Sequence, residues 1–98
     1  MCGIAGQISA DPNKIAANYP AYCRMQKSLA RRGPDQRGMY LHGHAALIHA
    51  RLAVVDLENG CQPMVLEQGG EKYILVYNGE LYNTPELHAQ LAALGHRF

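Results

Sequence analysis

The chain has 98 residues, with nine basic and eight acidic side chains and a net charge of +1. That length allows one small domain, and the charge balance offers no basic surface for nucleic acid or an anionic membrane. Hydrophobic residues make up 48% of the chain, enough for a thin core, but no apolar run approaches the ~20 residues needed to cross a bilayer. The N-terminus has no basic region ahead of an apolar one and does not read as a signal peptide. Three scattered cysteines, Cys2, Cys23 and Cys61, do not make a disulfide scaffold and imply a reduced, cytoplasmic setting.

Gly3 to Ser9 reads as a short strand and Asp11-Pro12-Asn13 as a turn. Ile15, Tyr19, Tyr22, Met25 and Leu29 recur at helical spacing, with Met25 and the tyrosines expected to face a core. Pro20 fits only near a helix start, which sets the N-cap near Asn18 and the end near Arg31. Arg32-Gly33-Pro34-Asp35 stops this helix, because Pro34 pushes Gly33 out of the α region. Strands are expected over Gly38 to His42, Ala45 to Arg51 and Leu52 to Asp56, followed by a turn at Glu58-Asn59-Gly60. Val65-Leu66 and Lys72 to Tyr77 read as a hairpin across Gln68-Gly69-Gly70. The last helix starts at Asn83-Thr84-Pro85-Glu86, with Thr84 as its cap and Gly95 just past its end. Leu87, Leu91 and Leu94 form its apolar stripe. The fold class is α+β.

Cys2 directly follows the initiator methionine. Removal of Met1 would give Cys2 a free α-amine, which titrates near ~7.7–8.0 and can serve as a base at neutral pH. A thiol beside such a base is an activated nucleophile with both groups on one residue. Gly3 has no Cβ and lets substrate come close. Taken alone, a cysteine at position two reads more readily as an accident of a short apolar strand than as a nucleophile.

Three further segments add to Cys2-Gly3-Ile4: Arg31-Arg32-Gly33-Pro34-Asp35, His49-Ala50-Arg51-Leu52-Ala53-Val54-Val55-Asp56, and Asn78-Gly79-Glu80-Leu81-Tyr82-Asn83. In this order and spacing the set resembles class II glutamine amidotransferase domains, and among them the N-terminal domain of glutamine-hydrolysing asparagine synthetases. The resemblance implies an N-terminal-nucleophile hydrolase fold, two antiparallel sheets face to face between helical layers. It implies L-glutamine as substrate, Cys2 as the nucleophile that forms a thioester, and Asn78 with Gly79 as donors to the oxyanion. It also implies that Arg51 and the backbone around Val54 and Val55 hold the substrate α-carboxylate, with Glu80 near its α-amine. A bidentate guanidinium suits a planar carboxylate. The Arg-Gly-Pro-Asp loop would shape the pocket wall from behind.

Each of these residues has a plainer role open to it. Arg51 could be a surface strand residue paired with Asp56 or Glu58, Asn78-Gly79 an ordinary turn, and Glu80 a solvated charge. His42 and His44 share a strand face if the strand runs through them, which opens a small metal- or ligand-binding module with a cysteine as a competing reading. His49, His88 and His96 are expected at surfaces or half-buried. Cys23 and Cys61 are expected to be inert.

The chain departs from the family pattern with Arg31 where a His commonly stands and Ala53 where a Ser does. It also corresponds to only about the first half of the family domain, residues 1–98, and has no counterpart of an Asp that binds the substrate ammonium. No Gly-rich phosphate loop is present, so ATP and Mg are expected only in a synthetase domain outside these residues. The expected partners are L-glutamine and either the remainder of a parent chain or a second copy covering the open sheet faces. A structural fragment without activity is the alternative from within the same lineage.

Overall fold

A computed structural model describes residues 2–52 and 60–98. Five strands and three helices follow in the order β1 (Gly3–Ile8), α1 (Pro12–Ala17), α2 (Tyr19–Leu29), β2 (Gln36–His42), β3 (Ala45–Arg51), β4 (Met64–Gln68), β5 (Glu71–Leu75) and α3 (Thr84–Ala93). They form two antiparallel sheets, one of three strands in the order β1-β3-β2 and one of two, β4-β5. The class is α+β, as expected. The expected strand to Asp56 and the turn at Glu58-Asn59, together with Val54 and Val55, lie outside the described residues. No helix among the described residues is long and apolar enough to cross a membrane.

The strand expectations hold for β1, β2 and β3, where short runs alternate between faces. Asp11-Pro12-Asn13, expected as a turn, instead opens the six-residue helix α1. The Asp11 carboxylate accepts a hydrogen bond from the Asn13 N–H at 2.9 Å, and Pro12 occupies the first turn. Cap and turn chemistry use the same residues, and the chain after Pro12 decides between them. Asn18 closes α1 and caps α2, with Pro20 in the first turn of α2.

Helices α1 and α2 cover one face of the three-stranded sheet, with α2 across β1 and β3. Ile15, Tyr22, Ala46 and Ile48 form the buried centre, and Ala5, Met25, Leu29, Met39 and Leu41 pack around it. Tyr22 is fully buried, and its hydroxyl donates to Gln7 Oε1 at 2.7 Å, so its polar tip is satisfied. Asn18 Nδ2 donates to the same oxygen at 2.9 Å, tying the junction of the helices to β1. Tyr19 departs from its expected core position and is 53% exposed, because it precedes the turn of α2 that reaches the sheet.

Gly33 lies against the backbone of β3, and a Cβ there would collide with Ala50 and Arg51 main-chain atoms. Beside it, Pro34 bridges to Arg51 and the Asp35 N–H donates to the Arg51 carbonyl at 3.0 Å. The Arg-Gly-Pro-Asp loop therefore packs against the end of β3.

The β4–β5 hairpin turns at Gly69 and Gly70, with φ 62° and 79°, and pairs Glu67 with Lys72 across the strands at 3.4 Å. Every residue of β4 is exposed. The α3 cap is shifted by one: Asn83 is the N-cap, and Thr84 is the first helical residue, its hydroxyl donating to the Leu81 carbonyl. Leu91 and Leu94 of the expected stripe are exposed, and no residue of α3 is buried.

Candidate functional site

Residues two apart on a strand share a face, and residues directly paired across strands share it too. The register pairs Gly3 with Ala50 and Ile4 with His49, and Gln36 with Arg51 and Gly38 with His49. Continued by one residue, it sets Cys2 opposite Arg51. The face away from the helices thus carries Cys2, Ile4, Arg51, His49, Gln36 and Gly38 at one end.

Cys2 is half-buried just ahead of β1, and its thiol donates to the Leu52 carbonyl at 3.8 Å. Arg51 ends β3 and is only 5% exposed, which overturns the reading of it as a surface strand residue. Its Nη1 donates to Gln36 Oε1 at 2.7 Å, and the Cys61 thiol donates to the same oxygen at 3.3 Å. The Gln36 amide thus helps fix the direction of the buried guanidinium, whose planar fork is the geometry that matches a carboxylate.

His49 was expected at a surface or half-buried; it is 1% exposed. The misplacement has a physical cause: β3 is central in its sheet and covered on both faces, so its alternation marks no wet side. His49 Nε2 lies 3.2 Å from the Tyr77 carbonyl, which can only accept, so Nε2 carries the proton. Burial pushes the His49 pKa below its ordinary 6.5, the hydrogen bond to Tyr77 opposes this, and the Arg51 charge adds to the lowering. His49 is a neutral donor.

Asn78, Gly79 and Glu80 follow β5 in one exposed segment. Tyr77, immediately before them, receives the His49 hydrogen bond at its carbonyl and donates its N–H to Gln62 Oε1 at 2.6 Å. Asn78-Gly79 is thus anchored through Tyr77 to the face that carries Cys2 and Arg51. The sequence reading missed His49, Gln36 and Gln62. The two-residue spacing of His49 and Arg51 on one strand was the available signal; the side chains reaching in from Gln36 and Gln62 left none.

His42 ends β2, while His44 sits past the turn at Gly43 and donates through Nδ1 to the Ser9 carbonyl at 2.9 Å. Among the described residues, no group of three or more His, Cys, Asp or Glu side chains is placed to hold a metal ion. Cys2, Cys23 and Cys61 take part in no disulfide among the described residues.

A family model described as a glutamine amidotransferase domain matches residues 1–98. Asparagine synthetase (glutamine-hydrolyzing) 3 of Bacillus subtilis (strain 168) is 42% identical over 98 residues, covering 100% of this chain and 16% of that protein. A probable asparagine synthetase (glutamine-hydrolyzing) of Schizosaccharomyces pombe is 38% identical over 91 residues, covering 93% of this chain and 16% of its own length. The nodule asparagine synthetase of Pisum sativum is 37% identical over 98 residues, again 16% of its length. The chain spans 16% of the length of these curated relatives.

Proposed function

The chain belongs to the glutamine amidotransferase domain family, and we propose that it carries the glutamine-hydrolysing centre of an asparagine-synthetase-type enzyme with an N-terminal-nucleophile fold. Glutamine is hydrolysed to glutamate and ammonia through a thioester at Cys2. Once Met1 is removed, the Cys2 α-amine takes the thiol proton and Sγ attacks the side-chain amide carbon. The oxyanion is met by the Asn78 side-chain amide and the Gly79 N–H. Collapse returns the proton to the leaving nitrogen as ammonia departs. Water, deprotonated by the same amine, then cleaves the thioester, releasing glutamate and restoring the thiol. Arg51 and the backbone near Val54 and Val55 hold the substrate α-carboxylate, and Glu80 lies near its α-amine.

The observation that supports this reading most is the approach of the Cys2 thiol to Leu52, the residue after buried Arg51. The proposed nucleophile and the proposed carboxylate-binding cation thus come from neighbouring strands at the same end of one sheet. The relatives carry this segment as 16% of their length, which supports delivery of ammonia to a synthetase reaction on the same parent chain. ATP and Mg belong to that reaction and not to these residues.

The test is intact-mass and peptide mapping of protein with its native N-terminus after treatment with 6-diazo-5-oxo-L-norleucine, a glutamine-shaped alkylator. The expected result is loss of Met1 and one adduct on Cys2 that L-glutamine blocks. Retained Met1, or labelling of Cys23 and Cys61 as fast as Cys2 without protection, overturns the reading.

A further inference from the structure

The backbone of Tyr77 is held at both of its polar groups. Its carbonyl accepts from His49 Nε2 at 3.2 Å and its N–H donates to Gln62 Oε1 at 2.6 Å. The two partners come from different parts of the chain, a central strand and the segment ahead of β4, and a third feature joins them. Gly38 is the register partner of His49 on β2, and a Cβ at Gly38 would run into the Gln62 carbonyl and the Pro63 ring. The missing side chain opposite His49 is therefore the space in which Gln62 sits. The two hydrogen bonds hold the peptide groups on either side of the Tyr77 Cα, and the second of these groups leads directly into Asn78 and Gly79.

We infer that His49 is a positioning residue for the oxyanion donors: with Gln62, it clamps the Tyr77 backbone and so fixes where the Asn78 amide and the Gly79 N–H point. This rests on the reading of Asn78 and Gly79 given above. The logic is that of any donor pair aimed at a developing charge. Donors help only if they already point at the oxygen of the tetrahedral state, and a hinge one residue upstream sets that aim. Ground-state glutamine is held by a different side chain, Arg51, two residues further along β3 on the same face, and not by the Tyr77 backbone. Loosening the clamp should therefore slow turnover and leave substrate affinity alone. His49 suits the task because its ring is buried and neutral, with the donor proton fixed on Nε2 by the acceptor it meets.

The experiment compares glutamine hydrolysis, and inhibition by the aldehyde analogue glutamate γ-semialdehyde, in the full chain and in His49→Leu, His49→Gln and Gln62→Ala. For His49→Leu, kcat is expected to fall about 10- to 100-fold, less than the ~100- to 1000-fold of deleting a donor outright, with KM within about twofold. Inhibition by the aldehyde, whose thiohemiacetal needs the same donors, should weaken by a similar factor. His49→Gln, which keeps an amide N–H near the Nε2 position, should recover most of the loss. Gln62→Ala decides the matter if His49→Leu does not fold, and should show the same split in smaller measure. A rise in KM at constant kcat, or unchanged kinetics, overturns the clamp while leaving the glutaminase reading standing. Wild-type protein that releases no ammonia from glutamine overturns both.

Discussion

Alternate residues of β3 do different work. Ala46, Ile48 and Ala50 point toward α1 and α2 and lie in an apolar core with Ile15 and Tyr22. Leu47, His49 and Arg51 point the other way, and two of these are the buried polar side chains among the described residues. Both faces exclude water from the middle of the strand, but only one of them does so with apolar groups alone. The helix-backed face is where burial is favourable by itself; the opposite face, equally buried at this end of β3, holds a neutral imidazole and a charged guanidinium in place. Each polar group there has a partner: Tyr77 for His49 and Gln36 for Arg51. The period-two alternation of a single strand thus separates what holds the molecule together from what its site does.

The sharpest way to break that separation is at Ile48. It is fully buried, and truncation to Ala leaves a cavity that α2 and β2 can close only in part. Ile48→Ala should cost about 2–5 kcal/mol of unfolding free energy in a urea titration. Below its unfolding midpoint, the variant should keep the KM for glutamine of the wild type. A changed KM in folded protein would mean that the two faces are mechanically coupled.

The opposite face gives a smaller effect of the other kind. Arg51→Lys keeps the charge but loses the planar fork that matches a carboxylate. The KM for glutamine should rise about 10- to 100-fold, equivalent to roughly 1.4–2.8 kcal/mol of binding. The urea midpoint should move less than for Ile48→Ala. Equal destabilisation by the two variants would show that Arg51 serves the fold and not the substrate.

The same division explains what could be read from the residues alone. The strands β1 to β3, the Gly69-Gly70 turn and α2 declare themselves through local rules: alternation, turn chemistry, and a proline confined to a first turn. Cys2 and Arg51 stand out as candidates only through four segments in register and the resemblance they carry; taken alone, each reads more readily as an ordinary strand residue. α1 was hidden because Asp11-Pro12 serves a turn and a helix start equally well. His49 was hidden because a strand central in its sheet gives no sign of which face is wet. Gln62 was hidden more deeply, since its role is a contact with Tyr77 across 15 residues that no periodicity encodes.

The smallest effect concerns protons. The folded chain holds His49 with a lowered pKa, chiefly through burial, while the unfolded chain leaves it near 6.5. Above 6.5 both states carry a neutral ring, and the contribution to stability is fully present. As pH falls below 6.5 the unfolded chain takes up a proton that the folded chain refuses, so stability declines until the folded pKa is passed and then levels off. The Arg51 charge deepens the effect and the Tyr77 carbonyl shallows it. His49→Gln removes the titrating ring and keeps a donor toward Tyr77. Melting temperatures taken from about pH 7.5 to about pH 5 should therefore fall more steeply for wild type than for this variant, and the two curves should converge on the acid side. Parallel curves would mean that the imidazole is as easily protonated inside the sheet as outside it, and that the polar face of β3 is wet.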